Sequence, residues 1–176
     1  MAEWKHPVVF REVKCQAVKN LLEIEGKIHQ DTYGFTPLIF LNIFEDFTRQ
    51  DNTKKINMQF SPFELLSLKA AVVEALKTNE VPTYRNYTGG KEHGKWISVN
   101  VIRKPEANEH SISLNMEKRG KLIAMIFNRY EAFAFTELLD EVYHAMMHKR
   151  DEIAWSKYLK IFQRDKTIGQ KDDKNV

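Results

Sequence analysis

The sequence holds a single cysteine, Cys15, and that scarcity excludes two kinds of construction. One thiol can neither close a disulfide within the chain nor supply the paired cysteines of a CxxC zinc site. No apolar run approaches the length of a membrane-spanning helix. Met1 to Pro7 shows neither the apolar core of a secretion signal nor the acid-free, Arg- and Ser-rich pattern of a transit peptide. We therefore expect a soluble, cytoplasmic protein of a phage or bacterial host, with an organelle as the alternative.

Motifs that mark common active sites are also missing. There is no GxGxxG pattern and no P-loop, and Gly89-Gly90 alone is too weak a signal for phosphate binding. His144 and His148 stand four residues apart, as a metal pair on a helix would, but neither an HExxH pattern nor a third ligand accompanies them. We expect these to be surface histidines, and the protein to have no catalytic residue, metal or cofactor and not to be an enzyme.

A segment that begins at Ile56 returns in related form at Ile123. In each copy a short alternating run meets a helix-capping residue, Ser61 or Asn128, and a long apolar helix follows. Similar elements precede both junctions. One supersecondary unit given twice predicts a pseudo-symmetric fold whose halves bury each other's apolar faces.

Alternation of apolar and polar residues predicts several antiparallel strands, four in each half, before each helix. Ser61-Pro62-x-Glu64 is a helix start, with Ser as the N-cap, Pro at the first helical position and Glu three residues after the cap. Asn128 caps a second helix that is predicted to run to about His148. A further amphipathic helix is predicted over Glu152 to Arg164.

The predicted fold class is α+β, with two tandem β-β-β-β-α repeats, antiparallel sheets packed on helices, and a C-terminal helix. Residues 1–176 would form a single pseudo-symmetric domain, with repeat one at about 8–80, repeat two at about 81–148, and the C-terminal helix and tail at 149–176. Leu38 to Phe44 is apolar on both faces except at Asn42, which predicts a central strand. Aromatic residues near the two junctions are predicted to lie in the core: Phe63, Tyr130, Phe133 and Phe135.

This doubled strand-strand-strand-strand-helix unit resembles the Whirly and mitochondrial RNA-binding protein superfamily, related to PC4 and to phage single-stranded DNA-binding proteins of that fold. The resemblance covers roughly residues 8 to 148 and is carried by the junctions Ile56 to Leu68 and Ile123 to Phe135. The Lys-Gly-Lys-Ala-type motif of plant Whirly proteins is not found: Lys14 to Ala17 has a comparable place but lacks the glycine, which argues against a plant Whirly protein. The resemblance implies binding of single-stranded DNA or RNA across an exposed sheet, and dimers or tetramers formed through the helices.

Aromatic and cationic residues interleave between Tyr84 and Lys104, around a predicted hairpin. Single-stranded nucleic acid needs cations that follow its phosphates and rings on which its unpaired bases stack. Trp96 is the most specific sign, because it shares the polar face of its strand with Ser98 and Asn100. Basic hairpin tips in both halves would extend a phosphate path. The candidate nucleic-acid-binding residues are Tyr84, Arg85, Tyr87, Lys91, Lys95, Trp96, Arg103, Lys104, Lys54, Lys55, Lys118, Arg119 and Lys121.

The formal net charge is only +3, so any affinity for nucleic acid depends on where the cations lie. The function predicted is a non-enzymatic single-stranded nucleic-acid-binding protein, with DNA favoured over RNA, a role such as DNA replication, and a dimeric or tetrameric assembly without a membrane. One alternative is an oligomeric scaffold or protein-interaction module that uses the same sheet face and the helix of Trp155. The others are an RNA-binding processing factor and an enzyme whose His and Asp residues meet only in the fold.

Overall fold

The computed structural model describes residues 4–15, 20–30, 32, 34–45, 55–82, 84–88, 94–104 and 109–172, and for 4–15, 85, 87–88, 104, 109 and 162–172 the backbone alone. Eight strands and two helices run through these residues. Their bounds are β1 Trp4–Cys15, β2 Asn20–Gln30, β3 Phe35–Phe44, β4 Lys55–Phe60, α1 Pro62–Thr78, β5 Arg85–Thr88, β6 Lys95–Lys104, β7 Glu109–Lys118, β8 Lys121–Phe127 and α2 Arg129–Asp172.

The strands form two antiparallel sheets. Sheet A has the order β1-β2-β3-β4 and sheet B the order β5-β6-β7-β8, and a helix follows each sheet along the chain. The predicted α+β class is confirmed. Strand β3 lies between β2 and β4, the inner position that its apolar composition predicts.

Both sheets and both helices share one core. In sheet A the apolar residues of β2 and β3, such as Ile24 and Leu41, are fully buried, and in sheet B Ile97 and Leu114 are buried in the same way. Each helix contacts strands of both sheets: α1 contacts β3 and β6, and α2 contacts β2, β3 and β7. The buried side chains therefore form a single cluster that spans the two halves of the chain.

Both helices begin as their sequences predict. The Ser61 hydroxyl accepts the Glu64 N–H at 3.3 Å, and the Glu64 carboxylate accepts the Ser61 N–H at 2.7 Å. Asn128 and Glu131 repeat this capping box at the start of α2, with distances of 2.9 and 2.8 Å. Helix α1 ends at Asn79, whose φ of 55° is the left-handed conformation common after helices.

The predicted end of the second helix near His148 is wrong, because α2 is one helix of 44 residues. No glycine or proline interrupts Lys149 to Glu152, and these residues favour a helix. Lys149 Nζ also lies 2.8 Å from Glu152 Oε2, an i,i+3 ion pair along the helix surface. Among the described residues, no helix is both long enough and apolar enough to cross a membrane.

The predicted core aromatics divide into two groups. Phe135 is buried and stacks on Phe127 with ring centroids 5.1 Å apart, as predicted. Phe63, Tyr130 and Phe133 are instead 82%, 85% and 61% exposed. Successive helical residues are about 100° apart, so a side chain one or two positions from the buried stripe of its helix points away from it. The prediction was therefore wrong for these three residues.

Candidate functional site

Sheet B carries a polar face with one tryptophan. In β6, Trp96, Ser98 and Asn100 alternate with the buried Ile97 and Val99, as predicted. Strand β7 continues this face with serine and asparagine side chains at the matching positions. We define the sheet B outer face by Trp96, Ser98, Asn100, Ser111, Ser113 and Asn115.

Cross-strand register arranges these polar side chains in rows. Ser98 lies opposite Asn115, and Asn100 lies opposite Ser113. Within β6 the Asn100 amide donates to the Ser98 hydroxyl at 3.2 Å, and within β7 the Ser113 hydroxyl donates to the Asn115 carbonyl oxygen at 2.5 Å. These bonds orient side chains that carry both donors and acceptors. Ser113 is itself buried, so the groups that the face offers an extended ligand are the half-buried Ser98, Asn100, Ser111 and Asn115.

Trp96 lies at one end of this face and is half-buried. Its Cα partners are Tyr87 on β5 and Glu117 on β7, and Arg85 lies opposite Ser98 one row further along. Arg85 and Tyr87 are placed by register alone. The register thus brings three of the predicted site residues, Arg85, Tyr87 and Trp96, to adjacent positions.

A row of three lysines crosses the same end of sheet B. Lys95, Lys118 and Lys121 are successive Cα partners on β6, β7 and β8, and we call them the lysine row. Burial, and then the charge of Lys118, lower the pKa of Lys95. Among the described residues, Glu45 is the one acid within ion-pair distance of the row, with its Oε2 3.6 Å from Lys121 Nζ. The row therefore concentrates positive charge that neighbouring acids neutralise only in part.

The turn between β7 and β8 carries a further predicted cation. Arg119 and Gly120 have φ values of 52° and 76°, and they connect the paired residues Lys118 and Lys121. Positive φ at both central residues is typical of the tight turns that fit the twist of a hairpin. This turn leaves Arg119 exposed next to the lysine row.

Tyr84 and Arg103 lie apart from this cluster. The Tyr84 ring packs against the core, its hydroxyl donates to the Glu64 carbonyl oxygen at 3.5 Å, and burial followed by the Glu64 charge raises its pKa. The Tyr84 ring therefore packs on the core, apart from the sheet B outer face, and its role in binding stays a prediction. Arg103 is exposed at the other end of β6, where its guanidinium donates to the Asn79 carbonyl oxygen at 3.0 Å.

The remaining predicted cations are distributed as follows. Lys55 is exposed at the start of β4, in sheet A. Lys54 and Lys91 lie outside the described residues, and Lys104 is described by its backbone at the end of β6. The structure thus does not gather all the predicted residues into one patch.

Sheet A has a second aromatic surface that sequence reasoning missed. Phe40 and Phe44 alternate with the buried residues of β3, and both are half-buried on the opposite face. Lys27 Nζ lies 5.2 Å from the Phe40 ring centroid, and Lys55 Nζ lies 4.8 Å from that of Phe44. We define the sheet A outer face by Lys27, Phe40, Phe44, Lys55 and Gln59. The sequence signal for this surface was Asn42, a polar residue two positions from each phenylalanine and therefore on the same face of β3.

Asn42 links three strands of sheet A and is fully buried. Its amide donates to Glu23 Oε1 at 3.1 Å, and its carbonyl oxygen accepts from the Asn57 amide at 2.5 Å. The register places Glu23, Asn42 and Asn57 directly opposite one another on β2, β3 and β4. This row is located between the two lysine-bound phenylalanine rings and fixes the strands that carry them.

Residues that bind metals are dispersed over the surface. His144 and His148 are both exposed on α2, as predicted for surface histidines. In the part of the chain that the structure describes, no group of three or more His, Cys, Asp and Glu residues is placed to hold a metal ion.

No family model matches the sequence, and no curated protein matches it. Among solved structures, two that are similar to this chain are of plant proteins. WHY1 from Arabidopsis thaliana matches with a TM-score of 0.49 and 11% identity, over 94% of this chain and 93% of that chain. The plant transcriptional regulator PBF-2 matches with a TM-score of 0.47 and 12% identity, over 92% of this chain and 88% of that chain. At this identity the likeness concerns the fold alone, and the surfaces described above belong to this chain.

Proposed function

We propose that this protein binds single-stranded nucleic acid on the sheet B outer face, with DNA preferred over RNA and without catalysing a reaction. The observation that carries the proposal is the position of Trp96, where the polar rows of sheet B meet the lysine row. An unpaired base can stack on an indole ring, and each such contact contributes about 1–3 kcal/mol. The polar rows provide hydrogen bonds to bases and sugars beyond the ring.

Phosphates would follow the lysine row around the end of sheet B. Lys95 and Trp96 are neighbours in β6, and neighbouring strand residues point to opposite faces. A strand that stacks a base on Trp96 therefore reaches the lysine row by bending around the sheet end, where Arg119 is also exposed. Burial, and then the charge of Lys118, lower the pKa of Lys95, and phosphates at this row would offset the second of these causes.

The sheet A outer face gives the same ligand a second surface. Phe40 and Phe44 are half-buried rings, each with a lysine ammonium group near its face. Rings suit unpaired bases, and the cations beside them suit phosphates. Lys27 also pairs with Glu25 at 2.9 Å, so Lys55 beside Phe44 is the stronger candidate for a phosphate contact. We propose that longer strands also occupy this surface.

A gel-shift series tests the function directly. Oligonucleotides of one length are compared as single-stranded DNA, duplex DNA and single-stranded RNA, each at two salt concentrations. The proposal expects the tightest binding to single-stranded DNA and a steep loss of affinity as salt rises, because phosphate contacts release counterions. Equal affinity for duplex and single strand would refute the single-strand preference. A shift that does not respond to salt would instead favour the protein-interaction alternative.

We also propose that the protein forms a homodimer through α2. Trp155, Tyr158 and Leu159 are exposed at i, i+3 and i+4 and form one apolar stripe, in which the Trp155 and Tyr158 rings stack at 5.4 Å. In a two-fold, antiparallel pair of helices, this stripe of one copy would pack against the same stripe of the other. A second copy of the chain is therefore the partner that this stripe fits.

A further inference from the structure

A cleft of about 380 Å³ lies at the end of sheet B opposite the lysine row. Ala75 and Leu76 of α1 and Ile112 of β7 supply its apolar part. His110, Ser111, Asn128 and Arg129 supply polar groups, and Tyr130 also lines it. The volume falls within the range of about 300–1,000 Å³ that is usual for small-molecule sites.

The polar wall of the cleft favours an anion. Arg129 is the first residue of α2 and is exposed. The capping box uses the N–H groups of Asn128 and Glu131, while those of Arg129 and Tyr130 lie in the first turn, where no intrahelical acceptor exists. A guanidinium beside the positive end of a helix is a suitable environment for a phosphate group. Glu131 is the acid of this turn, and its carboxylate is already bound by the Asn128 N–H.

His110 lines the cleft as a half-buried polar residue. Its Nδ1 is covered and has no hydrogen-bond partner among the described residues. Arg103, the Cα partner of His110, is held at the Asn79 carbonyl and adds a second guanidinium to this end of the sheet.

The other helix start provides a comparison within the same chain. Ser61, Pro62, Phe63 and Glu64 correspond to Asn128, Arg129, Tyr130 and Glu131 at the two capping boxes. Proline has neither a charge nor a backbone N–H at the position where α2 has arginine. The cationic residue therefore belongs to the second helix start alone and is not needed to begin a helix of this fold.

We propose that this cleft binds a nucleoside monophosphate, either as a free nucleotide or as the 5′-phosphorylated end of a strand. Arg129 and the first turn of α2 bind the phosphate, with Ser111 as a hydroxyl donor. The base lies over the apolar part of the cleft and against the Tyr130 ring, which is 85% exposed. The free-nucleotide form goes beyond the proposed function, whereas the strand-end form rests on it.

Calorimetry with adenosine, adenosine monophosphate and inorganic phosphate tests the cleft without any strand. We expect one site for adenosine monophosphate per chain and no measurable binding of adenosine. Arg129→Ala should weaken nucleotide binding by roughly tenfold to a hundredfold, as expected for loss of a charged hydrogen bond. Arg129 is exposed, so this variant should keep its fold, and circular dichroism checks that it does. Arg150→Ala, which removes a surface arginine from the middle of α2, is the matched control and should leave nucleotide binding unchanged.

Competition between a 5′-phosphorylated and a 5′-hydroxyl oligonucleotide separates the two sources of the ligand. If the strand end is the ligand, the phosphorylated oligonucleotide binds more tightly, and Arg129→Ala removes that advantage while leaving the hydroxyl form unaffected. Binding of adenosine monophosphate without such an advantage identifies the free nucleotide. The proposal is overturned if neither the nucleotide nor the 5′-phosphate depends on Arg129. If strand binding still depends on Trp96 in that case, the proposed function is unaffected.

Discussion

Trp96 and Trp155 are two tryptophans in different surroundings. Trp155 is 63% exposed and stacks on a neighbouring ring of its own helix. Trp96 is half-buried in a sheet, on the face that carries Ser98 and Asn100. A ring that a sheet holds in place loses less freedom than an exposed one when a base stacks on it, and we therefore expect Trp96 to be the better platform.

Trp96→Ala should weaken single-strand binding by about 1–3 kcal/mol and change stability little, because the ring stacks on a base rather than filling the core. Trp96→Phe is the matched control and should retain most of the affinity, since it keeps an aromatic face. Fluorescence anisotropy with a labelled oligonucleotide measures both variants. An alanine variant that unfolds, with unchanged affinity per folded molecule, would place Trp96 in the core.

Replacing Lys95 by a neutral residue should raise the stability of the fold and weaken strand binding. Its pKa is lowered, so the unfolded chain holds this proton more tightly than the folded protein does. Stability should therefore rise with pH from the folded-state pKa of Lys95 towards its ordinary value of 10.5. Lys95→Gln should raise the melting temperature and remove that part of the pH dependence of stability. It should also reduce the salt slope, which is the slope of log affinity for the strand against log salt concentration, by about 1. Lys77→Gln, in the last turn of α1, is the control and should leave the salt slope unchanged. A lower melting temperature for Lys95→Gln would contradict the unfavourable burial and repulsion of the Lys95 charge.

Asn42 is expected to contribute to stability through its bonds to Glu23 and Asn57. Asn42→Ala should cost about 1–3 kcal/mol, because it leaves two polar partners in a half-buried row without their bonds. Urea denaturation measures the loss. Gln59→Ala removes an exposed amide from the neighbouring strand and should cost less than about 0.5 kcal/mol. Equal losses in the two variants would show that the row contributes nothing specific.

These residues also show the limits of reading a site from sequence. The outward facing of Trp96, Ser98 and Asn100 was predictable, because residues that alternate with the apolar Ile97 and Val99 lie on the opposite face of the strand. Phe40 and Phe44 were missed, because alternation cannot distinguish the buried face of a strand from its outer face when both faces are apolar. Tyr84 was misplaced because it precedes β5, where strand parity has not yet begun. The lysine row depends on pairing between three strands, which the residues of one strand do not reveal.

At the scale of elements, helix starts were predicted better than helix ends. Ser61 and Asn128 each form local capping boxes, whose bonds depend on residues three positions apart. The end of α2 has no comparable local signal, and the predicted break before Glu152 does not exist. The exposure of Phe63 and Tyr130 was equally hard to foresee. Helical spacing shows which apolar residues share a face of the helix, but not whether another element packs on that face.

The α2 stripe makes a prediction about assembly. Light scattering at tens of micromolar should give a dimer, and Trp155→Ala with Tyr158→Ala should give a monomer of unchanged helix content. A wild-type monomer at this concentration would contradict self-association. A double variant that remains dimeric would place the interface outside the stripe.

At the scale of the whole molecule, the shared core takes up the apolar faces of both sheets, and half-buried side chains line much of their outer faces. The lysine row and the cleft lie at opposite ends of sheet B, and the apolar stripe lies on a different element, α2. With a net charge of only +3, this separation matters more than the total. The central claim is that a single strand lies on the sheet B outer face rather than along α2.

Ultraviolet crosslinking to a single-stranded oligonucleotide, followed by mass spectrometry of the peptides, measures that location most directly. The chain has aromatic residues in both places, so each surface can report contact. We predict adducts on the strand that contains Trp96, lost in Trp96→Ala and in competition with unlabelled single strand but not with duplex. Adducts confined to the Trp155 and Tyr158 segment, with none in β6, would contradict the account.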